Sequence, residues 1–252
     1  MQIIVHGATG RMGQNLLKLI EQNPGHTLAA AVSPELETCP ERQAYHSLAD
    51  YQGPADMIVD FSHHSAVGAL LDYAEARQIP VVIGTTGHTG EEKARIAEAA
   101  GRIPVFQSGN MSVGVALLVQ LARQTAQAFP DAEIEIVEIH HDQKLDVPSG
   151  TALMLYEAAK KEKGPETEPV FGRYGRAEKR TCGEIGIHAV RGGTVTGEHE
   201  VGFYGNGEEL ILTHRAENRA LFAQGALRAA RYLMDRPAGL YSMRDVVREM
   251  LG

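Results

Sequence analysis

Cysteine is scarce in this chain. Cys39 and Cys182 are the only two, and they stand in no C-x-x-C or metal-ligand spacing. That excludes a disulfide framework and predicts a reduced, intracellular protein with two small, inert thiols. A surplus of positive charge is also missing. Lys and Arg number 24 against 32 Asp and Glu, a formal charge of −8. Such a surface is not built to neutralise nucleic-acid phosphates, although it leaves room for a local basic pocket around an anionic metabolite. No apolar run approaches the roughly 18 residues of a membrane span, so no membrane partner is expected. The start, MQIIVHGATG, has neither a basic leader nor a signal-length apolar stretch, which predicts a cytoplasmic location. No long-period repeat or low-complexity tract occurs, and the 27 glycines follow no G-X-Y period. What is present is ordinary globular composition, 43% hydrophobic and 22% charged, over 252 residues that suit one or two domains.

The first half alternates short apolar runs with segments of helical period. QIIVH (2–6), TLAAAV (27–32), MIVDFS (57–62), PVVIGTTG (80–87) and IPVFQS (103–108) read as strands. NLLKLIEQN (15–23), SAVGALLDYAEARQ (65–78) and EEKARIAEAAGR (91–102) read as helices, with Pro24-Gly25 and Ser33-Pro34 as stops. This β-α-β alternation with short connections predicts a parallel sheet covered on both faces, a Rossmann-like α/β domain.

GATGRMG (7–13) directly follows the first strand and opens the first helix. Its spacing is GxxGxxG. Glycines at such a junction let the backbone approach a pyrophosphate, which the helix N-terminus then holds through free N–H groups and its dipole. A plain tight turn is the alternative; the position at the first βα junction favours a dinucleotide cofactor. Arg11 stands within reach of a phosphate. The acid that binds the adenosine ribose in NAD enzymes should follow the second strand. Ser33-Pro34 occupy that place, with Glu35 one further on, so NADH and NADPH both stay open. GTTGHTG (84–90) and SGNMSVG (108–114) follow the fourth and fifth strands, at the edge where open α/β sheets bind ligands.

From about residue 112 the period changes. VGVALLVQLARQTAQAFP (113–130) is an amphipathic helix stopped by Pro130. AEIEIVEIHH (132–141) alternates, with Ile134, Ile136 and Ile139 set against Glu133, Glu135 and Glu138, and Val137 shifting the phase. Strand-like runs follow at 179–193, 194–204 and 208–217, the last two forming a hairpin around Gly205-Asn206-Gly207. Strand after strand predicts an α+β domain with a mostly antiparallel or mixed sheet over 111–215, which doubles as an oligomerisation surface. Residues 1–110 and 216–252, the latter containing two closing helices, form the dinucleotide-binding domain. GPETEPVFGRYGRAEKR (164–180) reads as a long solvated loop.

The sharpest constellation is EIHHDQKLDVPSGTA, 138–152. His140 and His141 end a strand. Lys144 and Asp146 lie in a short turn, and Ser149, Gly150 and Thr151 open a helix. Imidazole exchanges protons near neutrality, an ammonium supplies charge or a proton, and a helix N-terminus receives a carboxylate. Taken singly, Ser149 or Thr151 is an N-cap and Lys144–Asp146 a weak surface pair. Together they make a site for an anionic substrate that needs proton transfer. No third ligand spacing completes a metal set around the two histidines, so no metal is expected.

GATGRMG, DFS (60–62), GTTG (84–87), NMSVGV (110–115), EIHHDQKLDVPSGTA and GEIGIHAVRGGTVTGEH (183–199) fall in one order along nearly the whole chain. In this the sequence resembles the 4-hydroxy-tetrahydrodipicolinate reductase family of lysine and diaminopimelate biosynthesis. The resemblance implies reduction of a cyclic dicarboxylate with hydride from NADH or NADPH, giving tetrahydrodipicolinate and water. It implies His140 as proton donor or acceptor, Lys144 as proton donor, and His141, Gly150 and Thr151 as substrate contacts. The cofactor stretches it implies are Gly7, Ala8, Thr9, Gly10, Arg11 and Met12; Gly84, Thr85 and Thr86; and Ser108, Gly109, Asn110 and Met111. It implies a homotetramer joined through the second-domain sheet, with the groups near 140–144 facing the nicotinamide. Ser33-Pro34, His88 and Met111 depart from the family pattern.

Overall fold

The computed structural model describes residues 1–176, 179–181 and 183–252. Cys182 and two positions of the basic loop, 177 and 178, lie outside them. The chain forms two compact units. One joins Met1–Val113 to Arg219–Gly252, and the other is Gly114–Asn218.

The first unit is built on seven strands: β1 (Gln2–His6), β2 (Thr27–Val32), β3 (Ala44–Tyr45), β4 (Met57–Asp60), β5 (Val81–Ile83), β6 (Pro104–Gln107) and β12 (Gly239–Tyr241). All pair in parallel, in the order β12-β6-β5-β4-β1-β2-β3. The order reverses between β1 and β4, which places a ligand crevice at their carboxyl ends. Ile3, Ile4, Val5, Ile58 and Val59 are fully buried, as strands covered on both faces must be. Each such side chain contributes about 1.5–3 kcal/mol relative to an exposed one. The helices are α1 (Arg11–Glu21), α2 (Val67–Arg77), α3 (Gly90–Ala100), α6 (Ala220–Leu233) and α7 (Met243–Leu251). Helix α6 packs on α1 and on β4 to β6. It comes so close that a Cβ on Gly225 would stand 1.8 Å from the Met111 carbonyl oxygen.

The second unit holds a mixed five-stranded sheet in the order β11-β10-β7-β9-β8. Its strands are β7 (Glu133–His140), β8 (Glu168–Phe171), β9 (Glu184–Arg191), β10 (Gly197–Tyr204) and β11 (Glu209–Ala216). The hairpin β10–β11 and the pair β10–β7 are antiparallel, whereas β7–β9 and β8–β9 are parallel. Helices α4 (Val113–Ala128) and α5 (Gly150–Lys163) cover one face. Leu118, Ala122, Leu155 and Tyr156 meet Ile134, Ile136, Ile187, Val201 and Phe203 there. Strand β8 lies inside the segment expected to be loop. Arg173 and Arg180 beyond it are paired with Glu184 and Glu135 rather than solvated alone. Among the described residues no helix is long and apolar enough to cross a membrane.

The register of β7 corrects one expectation. Its alternation is unbroken: Ile134, Ile136, Glu138 and His140 share the buried face, while Val137 and Ile139 are on the other. Glu138 is therefore fully buried, at 0% exposure, and not one of the outward acids.

Candidate active site

All thirteen positions implied for the cofactor lie at the carboxyl edge of the first unit's sheet, because each stretch directly follows a parallel strand. Gly7 adopts φ +81°, and a Cβ there would meet the Phe61 carbonyl oxygen at 2.5 Å. A Cβ on Gly13 would stand 2.3 Å from the Gly7 oxygen. These two glycines are needed for the turn and for seating α1 on it. Gly10 is the N-cap of α1, with no capping side chain and no acid in the first turn. By contrast, Thr89 and Ser149 cap α3 and α5. The start of α1 thus keeps its donors and its positive dipole end for an outside anion, with Arg11 as first helical residue. That arrangement fits a dinucleotide pyrophosphate.

Below the turn, His6 Nδ1 and Asp60 Oδ1 lie 2.8 Å apart, and Thr85 Oγ1 donates to Asp60 Oδ2 at 2.6 Å. This buried set ties the ends of β1, β4 and β5 together at the switch point. The Thr85 hydroxyl proton is committed to it, so towards a ligand that side chain can only accept. Met111 is buried at 2% exposure. Ser108 Oγ donates to the Asn110 carbonyl at 2.7 Å, and Asn110 Oδ1 accepts from Ser112 N at 2.8 Å, fixing that loop.

In the second unit, His140, His141, Lys144, Gly150 and Thr151 gather between the end of β7 and the start of α5. Their organiser is Glu138. Its carboxylate accepts from both Arg191 Nη atoms at 2.9 and 2.8 Å, from Ser149 N at 3.0 Å, and from His140 Nδ1. Burial pushes the Glu138 carboxyl up, but Arg191, His140 and the Ser149 amide outweigh it and hold it below the usual range. An ionised carboxylate only accepts, so His140 carries its proton on Nδ1 and presents Nε2 as the reactive nitrogen. A Cβ on Gly197 would lie 3.0 Å from that Nε2; glycine there keeps the nitrogen unobstructed. Burial lowers the pKa of His140 despite the Glu138 charge, so the ring is neutral at pH 7.

Lys144 Nζ donates to both Asp146 oxygens at 2.7 and 2.8 Å. Arg191 Nη2 also donates to the Asp146 carbonyl at 2.7 Å, so one guanidinium fastens the turn to Glu138. Ser149 is the N-cap of α5, its Oγ accepting from Ala152 N at 3.2 Å. Gly150 and Thr151 occupy the first two helical positions, and a Cβ on Gly150 would meet nothing within 4 Å. A carboxylate has room to approach that helix end.

Profiles of dihydrodipicolinate reductase match nearly the whole chain, the N-terminal region over residues 1–111 and the C-terminal region over 114–247. The chain belongs to the dihydrodipicolinate reductase family. It is 43% identical over 250 residues to the 4-hydroxy-tetrahydrodipicolinate reductase of Caldanaerobacter subterraneus subsp. tengcongensis, covering 99% of each chain. It is 40% identical to that of Alkaliphilus oremlandii, covering 100% of each. Its fold is similar to the dipicolinate-bound dihydrodipicolinate reductase from Paenisporosarcina sp. TG-14, with a TM-score of 0.80 at 23% identity over 98% of this chain and 99% of that one.

Three residues of this family member were given no role from sequence: Glu138, Arg191 and His199. All lie within the strings that carry the resemblance, but only the fold brings them together. Donor atoms of Glu138, His140 and His199 lie within 4.8 Å of one another. Both Glu138 oxygens are already bonded to Arg191, however, and His199 Nε2 lies 3.0 Å from Ser149 Oγ. The cluster is therefore a hydrogen-bonded support for His140.

Burial first, and then His140, pushes His199 down to about 4. Its unfolded value is near 6.5, so as pH falls the unfolded chain takes up this proton first. The stability is intact above about 6.5 and is lost as pH drops towards 4. Unfolding free energy should fall by about 2 kcal/mol between pH 7 and pH 5 from this residue alone. Urea titrations of His199→Gln at both pH values check this: a pH slope equal to that of the parent chain refutes it.

Proposed function

We propose that this reductase-family chain converts 4-hydroxy-tetrahydrodipicolinate to tetrahydrodipicolinate and water in lysine and diaminopimelate biosynthesis, using NADH or NADPH. The observation that carries the reading is the Glu138-supported His140 beside Lys144 and the open N-terminus of α5, on a chain matched to the family along its length. When bound, the reduced nicotinamide supplies hydride to a conjugated carbon of the substrate. The residues of the Gly7–Met12, Gly84–Thr86 and Ser108–Met111 stretches hold the cofactor. Gly150 and Thr151 amides, with His141, take the substrate carboxylates. Lys144 delivers the proton. Neutral His140, fixed by Glu138, accepts at Nε2 and orients the substrate.

The decisive assay is loss of absorbance at 340 nm when either reduced cofactor meets freshly made product of the preceding synthase. No loss with either one favours the rivals, a sugar or amino-acid dehydrogenase of similar architecture or a dinucleotide-sensing regulator.

The protein works in the cytoplasm as a homotetramer joined through the second unit's sheet. Val190 and Ile211, on the sheet face that α4 and α5 leave open, are 47% and 42% exposed, which is the apolar character expected of a surface that another copy covers. Sedimentation equilibrium should return the mass of four chains; a monomer at micromolar concentration overturns this assembly.

A further inference from the structure

The end of β2 supplies the acid that its sequence position withholds. Ser33 to Leu36 form a turn, with Leu36 N donating to the Ser33 carbonyl at 3.0 Å and Pro34 at its second position. The turn folds Glu35 back onto the strand end. Ser33 Oγ donates to Glu35 Oε2 at 2.5 Å and Thr9 Oγ1 donates to the same oxygen at 2.8 Å. Thr9 belongs to the glycine turn, which is itself bonded to β2 through Gly7 N and Ala8 N on the Val32 carbonyl. Both hydroxyls meet Oε2, so Oε1 keeps its capacity to accept from a ligand. These hydroxyls hold the carboxyl below the usual range, with a smaller contribution from neighbouring His46.

Among the described residues Glu35 makes no ion pair. Arg11, the base beside the glycine turn, has Arg219 at the start of α6 for a neighbour: burial first, and then the Arg11 charge, lowers the pKa of that guanidinium. Helix α6 packs towards β4 to β6, on the other side of β1 from Glu35.

We propose that Glu35 is the cofactor-selecting residue, its hydroxyl-anchored carboxylate accepting from an adenosine ribose 2′-hydroxyl and repelling a 2′-phosphate, so that NADH is the preferred reductant. The inference rests on the reductase reading above and deepens it. A fixed carboxylate beside a ribose gains a hydrogen bond from NADH and faces like charge from NADPH.

The test is fluorescence titration of the purified protein with NADH and with NADPH, alongside kcat/KM for each. The parent chain should favour NADH roughly tenfold to hundredfold, the size expected of a hydrogen bond to a charged group together with like-charge contact. Glu35→Gln should lose most of that ratio, weakening NADH and tightening NADPH, with an unchanged thermal melt. Equal affinity for the two cofactors, or tighter NADPH binding, in the parent chain overturns the inference alone. So does a Glu35→Gln variant with an unaltered ratio. Failure to bind either nucleotide overturns the reductase reading and this inference with it.

Discussion

Replacing Lys144 with alanine lowers kcat by about 10²–10⁴-fold, the range a positioned general acid contributes. Lys144 is the one Lys or Arg of the 141–148 turn, its ammonium held on Asp146 at 2.7 and 2.8 Å. His140 does not replace it, because burial keeps that ring neutral at pH 7. The variant should still fold: Asp146 has a 60%-exposed side chain, and water takes over an exposed carboxylate at little cost. Cofactor affinity should stay within about twofold, since the stretches proposed to hold the cofactor belong to the other unit. Lys144→Arg is the sharper control. It keeps the charge but not a proton that is released, so its kcat should remain low while KM recovers. Turnover near that of the parent chain in Lys144→Ala removes Lys144 from the chemistry.

The parallel sheet was legible because buried strands are short β-branched runs and the helices between them keep a 3.6-residue period. That the three stretches implied for the cofactor share one edge was legible for a related reason: in a parallel sheet every stretch that follows a strand ends up on one edge, so order along the chain becomes proximity. Strands β3 and β12 escaped notice because two or three residues carry no period. Strand β8 was hidden by the Arg and Lys of the segment that contains it. Glu138 escaped for a different reason. Val137 beside it suggested a phase shift, since an unpaired carboxylate does not sit in a core. The partner that makes its burial tolerable is Arg191, 53 residues further on, and no local pattern records so distant a pairing. Glu35 was hidden in the same way, by a proline turn that returns it to a place its sequence number does not suggest.

Glu138→Gln should damage stability and catalysis together, and the two effects can be separated. Four donors converge on the Glu138 carboxylate: two from Arg191, one from Ser149 and one from His140. An amide offers one acceptor oxygen and turns two N–H donors on the others, leaving a half-buried guanidinium without its counter-charge. Loss of about 3–5 kcal/mol in urea unfolding is the expected size for breaking such a pair from one side. Glu138→Gln/Arg191→Met removes the stranded charge, and should be less destabilised than the sum of the two single variants. Catalysis should not return with stability. Without the carboxylate, nothing selects the Nδ1–H form of His140, and kcat should fall on the order of 10²-fold. Because Glu138 also raises the His140 pKa against burial, the acid limb of the pH profile should move to lower pH in Glu138→Gln. Nitrogen NMR of the ring should report mixed tautomers at pH 7. A double variant that regains both stability and full kcat, with His140 still protonated at Nδ1, shows that Glu138 holds the fold and does not position the imidazole.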